Sequence, residues 1–253
     1  MILYANGCSW TAGGGLEPHF IYPHNGVPDN DKRLSLLWPH HLGQLMGASK
    51  VYNLANGCGS NQRIVRKTYN WLLSRTKKEL EQTVAVIQMT EWSRLEMYDP
   101  KVPANRWDDD PSDWVNCKVD VICNDIEHMN RHRTSERREE ILKEAQHRIM
   151  LTHNVEDFYR TISYLYALKG MFEAFNVKDF YVWHQSHLWW EWPEQHVNAL
   201  FKNFKVIDQP RSKDFPLWEY ETVSDTDLHP SVEGNKQLAN QIYIGMKNQG
   251  FGG

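Results

Sequence analysis

The sequence predicts a three-layer α/β/α sandwich built on a mostly parallel sheet of about five strands. Three observations predict it. Short apolar segments alternate with longer segments whose apolar residues recur at helical spacing. Gly-rich turns separate several of these segments. A chain of 253 residues is long enough to bury a single sizeable core, so we expect one domain over residues 1–253.

The predicted strands are short, and most end at a polar or Gly-containing segment. Residues 83–89 give the clearest strand, because they form a mostly apolar, β-branched run. The other predicted strands are residues 1–5, 50–55, 179–183 and 204–208. The carboxyl ends of parallel strands share one edge of the sheet, so we expect the active site in the loops that follow these strands.

The predicted helices fill most of the remaining chain. They cover residues 34–47, 61–77, 137–151, 155–175, 193–203 and 231–248. Residues 97–136 are different, because they are rich in Asp, Pro, Asn and Arg and show little periodicity. We therefore expect an insertion or lid at about residues 97–150, with a short strand at 118–123.

Composition excludes several classes of protein. The formal net charge of -4 gives no broad basic field for nucleic acid or an anionic membrane. No apolar run approaches the roughly 20 residues that span a bilayer, and the N-terminus lacks the pattern of a signal peptide. The cysteines Cys8, Cys58, Cys117 and Cys123 show no CxxC spacing, which favours free thiols in the cytoplasm. A disulfide between Cys8 and Cys58 stays open, since both flank predicted site loops.

The segment Gly7-Cys8-Ser9-Trp10-Thr11 directly follows the first predicted strand. A serine hydroxyl in such a turn projects from the sheet edge, and the backbone N–H of the same residue can face a bound oxyanion. The alternative is that Ser9 is only a turn residue or a helix cap.

The segment Asp227-Leu228-His229-Pro230 lies just before the last predicted helix. A histidine can take a proton from a serine hydroxyl, and a neighbouring carboxylate can orient its ring. Pro230 fits the start of a helix and leaves His229 on the preceding loop. The alternative is an exposed histidine at a helix N-terminus.

Taken together, these segments resemble the SGNH/GDSL hydrolase family in four blocks spread over nearly the whole chain. Residues 7–11 are similar to its nucleophile block, 53–61 to its second block, 88–91 to its third and 227–230 to its last. The resemblance implies a flavodoxin-like sheet and ester hydrolysis, with Ser9 as nucleophile, His229 as base and Asp227 as the orienting acid. It implies no metal and no organic cofactor.

The resemblance also implies an oxyanion hole. Its donors are the N–H groups of Ser9 and Gly59 and the hydroxyl of Thr90, which stands where the family has an asparagine. For the second donor, Gly57 and Cys58 stay as alternatives to Gly59.

Two further departures concern the nucleophile block and the acid. Cys8 replaces the usual aspartate of the nucleophile block, at a position where the family tolerates change. The family's commonest acid spacing, D-x-x-H, would put Thr226 at the acid position, and Asp225 and Asp208 are alternative acids to Asp227.

Three residues are predicted to contact the substrate: Arg94, Asn61 and Trp10. A guanidinium after the third strand can bind a carboxylate or sugar hydroxyls. The alternative is that Arg94 pairs with Glu91 or Glu96 on the surface.

The segment after the fourth predicted strand carries two further motifs. His184 and His187 have a metal-ligand spacing, but no third ligand accompanies them, so we expect no metal there. Trp189, Trp190 and Trp192 are typical of stacking platforms for sugar rings, with packing against the lid or a partner as the alternative.

The predicted function is a serine-dependent ester hydrolase that removes an acyl group, most simply acetyl, from a small or carbohydrate ester. The predicted partner is that ester, and the charged run at residues 131–148 is interpreted as a solvated helix face rather than a nucleic-acid site. Two alternatives remain: an O-acyltransferase that uses the same residues, and a non-catalytic carbohydrate- or protein-binding module on this fold.

Overall fold

The computed structural model describes residues 1–16, 30–57, 59–91, 94–98, 114–117, 135–151, 154–184, 194–207 and 220–252. The strands are β1 (Ile2–Asn6), β2 (Lys50–Asn53), β3 (Thr83–Met89), β4 (Leu95–Tyr98), β5 (Trp114–Cys117), β6 (Asp179–His184) and β7 (Lys205–Val206). The helices are α1 (Ser9–Ala12), α2 (Asn30–Leu36), α3 (Trp38–Met46), α4 (Asn61–Leu73), α5 (Lys77–Leu80), α6 (Ser135–Leu151), α7 (Asn154–Ala174), α8 (Glu194–Asn203) and α9 (Val232–Asn248).

Five strands form one sheet in the order β2-β1-β3-β6-β7, and every neighbouring pair is parallel. This is the flavodoxin-like strand order, in which the chain starts near the middle of the sheet and winds outward in both directions. The central strands β1 and β3 are buried along their whole lengths. The predicted fold class is therefore confirmed.

Helices cover both faces of this sheet. One core cluster joins Tyr4 and Ile87 to α4, α7 and α8. A second cluster joins Leu3 and Val86 to α3 and α9. Adjacent strand residues thus bury their side chains in opposite layers, as a strand with two covered faces requires.

Two predicted helices divide in the structure. The segment 34–47 divides at Leu37, whose backbone is extended. Pro39 is the reason, because proline cannot continue a helix but fits the first turn of a new one. The segment 61–77 ends at Leu73, and Thr76 starts α5 with a capping box whose partner is Glu79.

The predicted insertion is described only in part. The strands β4 and β5 pair antiparallel, at residues 95–98 and 114–117, and form a separate two-stranded sheet. The strand predicted at 118–123 lies outside the described residues. Both helices predicted after it are present as α6 and α7. Among the described helices, none has the length and apolar character needed to cross a bilayer.

Candidate active site

Ser9 is the first residue of α1 and lies just beyond the carboxyl end of β1. Cys8 is extended, with φ -101° and ψ -156°, and Gly13 closes this single helical turn at φ 89°. The left-handed backbone at Gly13 suits glycine, which lacks the Cβ that disfavours this region. The chain therefore turns sharply after the strand and holds Ser9 at the sheet edge.

His229 reaches the same edge from the other end of the chain. Its loop folds back on itself, with the N–H of Val223 bonded to the carbonyl of His229 at 2.9 Å. Gly234, in the first turn of α9, lets this loop approach, because a Cβ there would lie 1.9 Å from the carbonyl oxygen of Glu221. Ser231 caps α9 by accepting the N–H of Gly234.

The structure brings together the three residues predicted to be catalytic. Ser9 Oγ lies 2.8 Å from His229 Nε2. On the other side of the ring, His229 Nδ1 lies 2.5 Å from Asp227 Oδ1. The His229 backbone N–H donates to the same carboxylate oxygen at 3.1 Å. This is the geometry of a hydroxyl, a base and an orienting acid in one hydrogen-bonded line.

The electrostatics of Asp227 favour its ionised form. Burial by itself would raise the pKa of Asp227, but the hydrogen bonds from the His229 ring and backbone and the nearby imidazole charge outweigh it and lower the pKa. Among the described residues, Asp227 rather than Asp225 contacts the His229 ring. Thr226, at the family's usual acid position, donates its backbone N–H to the Ser224 hydroxyl, and Asp208 lies outside the described residues.

A glycine loop covers this group of residues, and the sequence indicated it only as a turn. A Cβ on Gly14 would lie 2.9 Å from His229 Nε2 and 3.0 Å from Ser9 Cβ. Gly15, at φ 80°, approaches Asp227 in the same way, at 2.8 Å from Oδ2. Three consecutive glycines after a candidate serine are the signal that could have revealed this close packing.

A buried glutamine on β3 holds the turn in place, and no sequence pattern indicates this role. Gln88 Oε1 accepts the Thr11 hydroxyl at 2.5 Å and the Cys8 N–H at 3.3 Å. Gly7 allows this contact, because a Cβ there would lie 2.6 Å from Gln88 Oε1. The last buried residues of β3 therefore fix the turn that carries Ser9.

The residues predicted to form the oxyanion hole lie beside this turn. Gly59 packs against Gly7 and Cys8, where a Cβ would lie 2.9 Å from the Gly7 carbonyl oxygen, but its N–H donates to Asn56 at 3.1 Å. Thr90 is buried, and its hydroxyl is shielded from solvent and has no hydrogen-bond partner among the described residues. The oxyanion roles stay predictions.

Asn61 braces Thr90 through both ends of its amide. Its Oδ1 accepts the Thr90 N–H and its Nδ2 donates to the Thr90 carbonyl, each at 2.9 Å. Asn61 is 2% exposed, so its polar atoms are engaged within the protein. A contact with the substrate stays a prediction, and the contact that the structure shows is this brace at the end of β3.

The other two predicted substrate contacts differ in their surroundings. Trp10 lies beside the imidazole of His229, with ring centroids 6.4 Å apart, and packs edge-on against Tyr220. The Arg94 side chain is only 7% exposed, and its Nε lies 3.5 Å from Glu91. Arg94 thus pairs with Glu91 but away from the surface, while Glu96 bonds to Arg66 instead. Their contacts with a substrate stay predictions.

The segment after β6 is described only at its start. Trp183 is a core residue that packs edge-on against Trp38 at 5.6 Å, and His184 is 5% exposed. His187, Trp189, Trp190 and Trp192 lie outside the described residues, as does Cys58. Cys8 is fully buried, and its pairing with Cys58 stays a prediction. No cluster of three metal-binding side chains occurs in the part of the chain that the structure describes.

Known proteins resemble the chain in fold more than in sequence. No curated protein matches it. A solved structure from Desulfitobacterium hafniense DCB-2, titled "Structure of a putative lipolytic protein of G-D-S-L family", superposes with a TM-score of 0.50 at 13% identity. The match covers 96% of this chain and 98% of that one. At this identity, the likeness shows the fold alone.

A family model also matches the chain. It carries the description "Family of unknown function (DUF6071)" and matches residues 26–184. The matched region is more than half of the chain and runs from before α2 to the end of β6. It includes Gln88 and Thr90 but neither Ser9 nor His229. The chain belongs to the family of unknown function DUF6071.

Proposed function

We propose that the protein is a serine-dependent ester hydrolase of the SGNH type. One observation carries the proposal: Ser9 Oγ lies 2.8 Å from an imidazole nitrogen whose ring is held on its other side by Asp227. The two halves of this contact are 220 residues apart in the chain. The fold likeness to a protein titled as lipolytic supports the same class of reaction.

The reaction proceeds through an acyl-enzyme. The Ser9 hydroxyl attacks the ester carbonyl while His229 Nε2 takes its proton, and Asp227 stabilises the resulting imidazolium. The ester C–O bond then breaks, and His229 returns the proton to the departing alcohol. Water next attacks the acyl group with His229 again as base, which releases the carboxylic acid and restores Ser9.

The tetrahedral oxyanion needs donors at the Ser9 turn. Ser9 opens α1, and the first N–H groups of a helix have no partner within the helix, so its N–H is suited to this role. Gly59 contributes its N–H if the oxyanion replaces the Asn56 carbonyl as acceptor. Thr90 contributes a hydroxyl that has no hydrogen-bond partner within the described part of the chain.

The proposed substrate is a small or carbohydrate ester, most simply an acetyl ester. Trp10 supplies an aromatic surface next to the imidazole, where a sugar ring or the acyl group can pack. Arg94 supplies a positive charge after β3. Neither an organic cofactor nor a metal takes part in the proposed steps.

Hydrolysis of p-nitrophenyl acetate tests this proposal. We expect turnover by the wild-type protein and its loss in both Ser9→Ala and His229→Ala. Ser163→Ala is the matched control, because Ser163 is exposed on α7 and its hydroxyl donates to the carbonyl of Tyr159 in the preceding turn of the same helix. Equal turnover in the wild type and both site variants would reject the roles of Ser9 and His229.

An added alcohol acceptor separates hydrolysis from acyl transfer. Hydrolysis predicts that p-nitrophenol release needs no acceptor. Release that requires a sugar hydroxyl would replace hydrolysis by O-acyl transfer at the same serine. Absence of turnover in both conditions would contradict the enzymatic proposal and favour a binding module.

A further inference from the structure

Ser9 and His229 lie on short segments of chain that are not stable on their own. Ser9 belongs to α1, which is a single turn of four residues. Isolated turns of this length are unstable in water, so tertiary contacts must fix Ser9. His229 lies on an irregular loop with one isolated bridge, between Thr222 and Pro230. The contact between Ser9 and His229 therefore depends on what connects these two pieces.

Thr11 connects α1, which carries Ser9, to Gln88 and Trp38. It lies two residues after Ser9 on α1 and is fully buried. Its hydroxyl donates to Gln88 and accepts the indole N–H of Trp38 at 3.2 Å. A threonine hydroxyl has one proton to give, so this pair of bonds fixes its direction.

Asn235 connects the loop that carries His229 to Trp38. Its Oδ1 accepts the backbone N–H of Trp38 at 2.9 Å. Its Nδ2 donates to the carbonyls of Pro230 at 3.1 Å and Ser231 at 2.9 Å, directly after His229. Leu37, the N-cap of α3, makes no side-chain cap, so Asn235 supplies that cap from α9.

Trp38 thus bonds to both sides through its two N–H groups. It is fully buried and packs edge-on against Trp183 at 5.6 Å. A side chain held in this way keeps its position, and buried hydrogen bonds in a low dielectric resist breaking.

We propose that Thr11, Trp38 and Asn235 form a strut that sets the distance between Ser9 and His229. Thr11 and Asn235 are accordingly positioning residues for the reaction. The inference rests on the proposed function for its kinetic consequence, but the strut also has a consequence for the imidazole that needs no substrate. During turnover the bond between Ser9 and His229 breaks while His229 carries the proton. While that hydrogen bond is broken, the strut keeps the distance between Ser9 and His229 unchanged.

Thr11→Val tests the strut, because valine keeps the shape of threonine and removes the hydroxyl. Thr11→Ser is the conservative variant that restores the hydroxyl. Thr83→Val is the matched control: Thr83 is also fully buried, and its hydroxyl bonds to the Glu79 carbonyl at 2.8 Å, but it lies at the other end of β3. Both valine variants lose one buried hydroxyl, so their melting temperatures report the structural cost alone.

We expect kcat for p-nitrophenyl acetate to fall about 100-fold in Thr11→Val, as for a misplacement of about 1 Å, with KM unchanged. Thr11→Ser is expected to recover most of this activity, and Thr83→Val to keep wild-type kcat. Equal kcat in Thr11→Val and Thr83→Val, or a loss confined to KM, would overturn the inference.

Histidine ¹⁵N NMR gives the second readout and does not require turnover. The signal of His229 Nε2, assigned from the spectrum of His229→Ala, should move in Ser9→Ala because its hydrogen bond to Ser9 is lost. The strut predicts that the signal moves in the same direction in Thr11→Val and stays in place in Thr83→Val. An unmoved signal in Thr11→Val overturns the inference whether or not the protein hydrolyses esters.

Discussion

Replacing Gly14 by alanine places a methyl group against both the proposed nucleophile and the proposed base. The new Cβ would lie 2.9 Å from His229 Nε2 and 3.0 Å from Ser9 Cβ, whereas ordinary contacts begin at 3.4 Å. The φ of Gly14 is not positive, so alanine adds no backbone strain there. The substitution therefore acts on the site rather than on the loop backbone.

The geometry gives the size of the effect. Relief of the two contacts displaces His229 by about 0.5 Å and Ser9 by about 0.4 Å, so their separation of 2.8 Å grows by up to about 0.9 Å, beyond the usual hydrogen-bond range. We expect kcat to fall about 100-fold, which corresponds to about 2.7 kcal/mol in the activation barrier. Hydrolysis of p-nitrophenyl acetate measures kcat, and thermal unfolding measures stability.

Gly170→Ala is the matched control, because a Cβ on Gly170 meets nothing within 4 Å. Gly170 lies inside α7, where alanine favours the helix by about 0.5–1 kcal/mol. Gly170→Ala should therefore keep activity and gain stability. A kcat of Gly14→Ala within twofold of wild type would contradict this prediction, because the crowded methyl would then have displaced neither Ser9 nor His229.

Three further predictions concern stability. Gly234→Ala forces a Cβ to 1.9 Å from the backbone oxygen of Glu221, so we expect a loss of about 1–3 kcal/mol in the free energy of unfolding together with loss of activity; wild-type melting would contradict the close approach. The pKa of Asp227 is lowered in the folded state, so its contribution to stability is present above its ordinary value of 3.8 and disappears as pH falls further; the melting temperatures of the wild type and Asp227→Asn should converge in that acid range. Burial, with help from two neighbouring arginines, lowers the pKa of Lys67 to about 8, so the folded state holds this proton less tightly than the unfolded chain between pH 8 and its ordinary value of 10.5. Lys67→Met should therefore be more stable than the wild type at pH 7, with the difference shrinking toward pH 10.5, and a difference independent of pH would contradict the lowered pKa.

The sequence predicts the central part of the fold well because burial there leaves a strong pattern. Residues 83–89 are mostly apolar and β-branched on both faces, and β3 has the same bounds. Edge elements are less certain, and β7 is only two residues of the predicted 204–208. The break at Leu37 is signalled in the sequence by one proline, and the break after α4 by the capping box of α5. Each signal is only a few residues long, whereas the helical spacing of apolar residues continues across both breaks and favours a single helix in each case.

The site also contains residues that the sequence predicts and residues that it does not. Ser9 and His229 were predicted to meet because each motif follows or precedes a regular element at one sheet edge, and their contact is present. Gln88 and Asn235 were not predicted, because a buried amide looks the same in sequence whether it braces a turn or not. Gly14 was missed because its role is the absence of a side chain beside His229, which only three-dimensional packing reveals.

The most direct measurement of the central claim is the reaction of Ser9 with a fluorophosphonate, followed by mass spectrometry of the intact protein and its peptides. We expect a single adduct on Ser9 in the wild type, no adduct in Ser9→Ala, and greatly slowed labelling in His229→Ala, because the imidazole makes the hydroxyl nucleophilic. Labelling that is absent from the wild type, or that proceeds equally fast without His229, would contradict it.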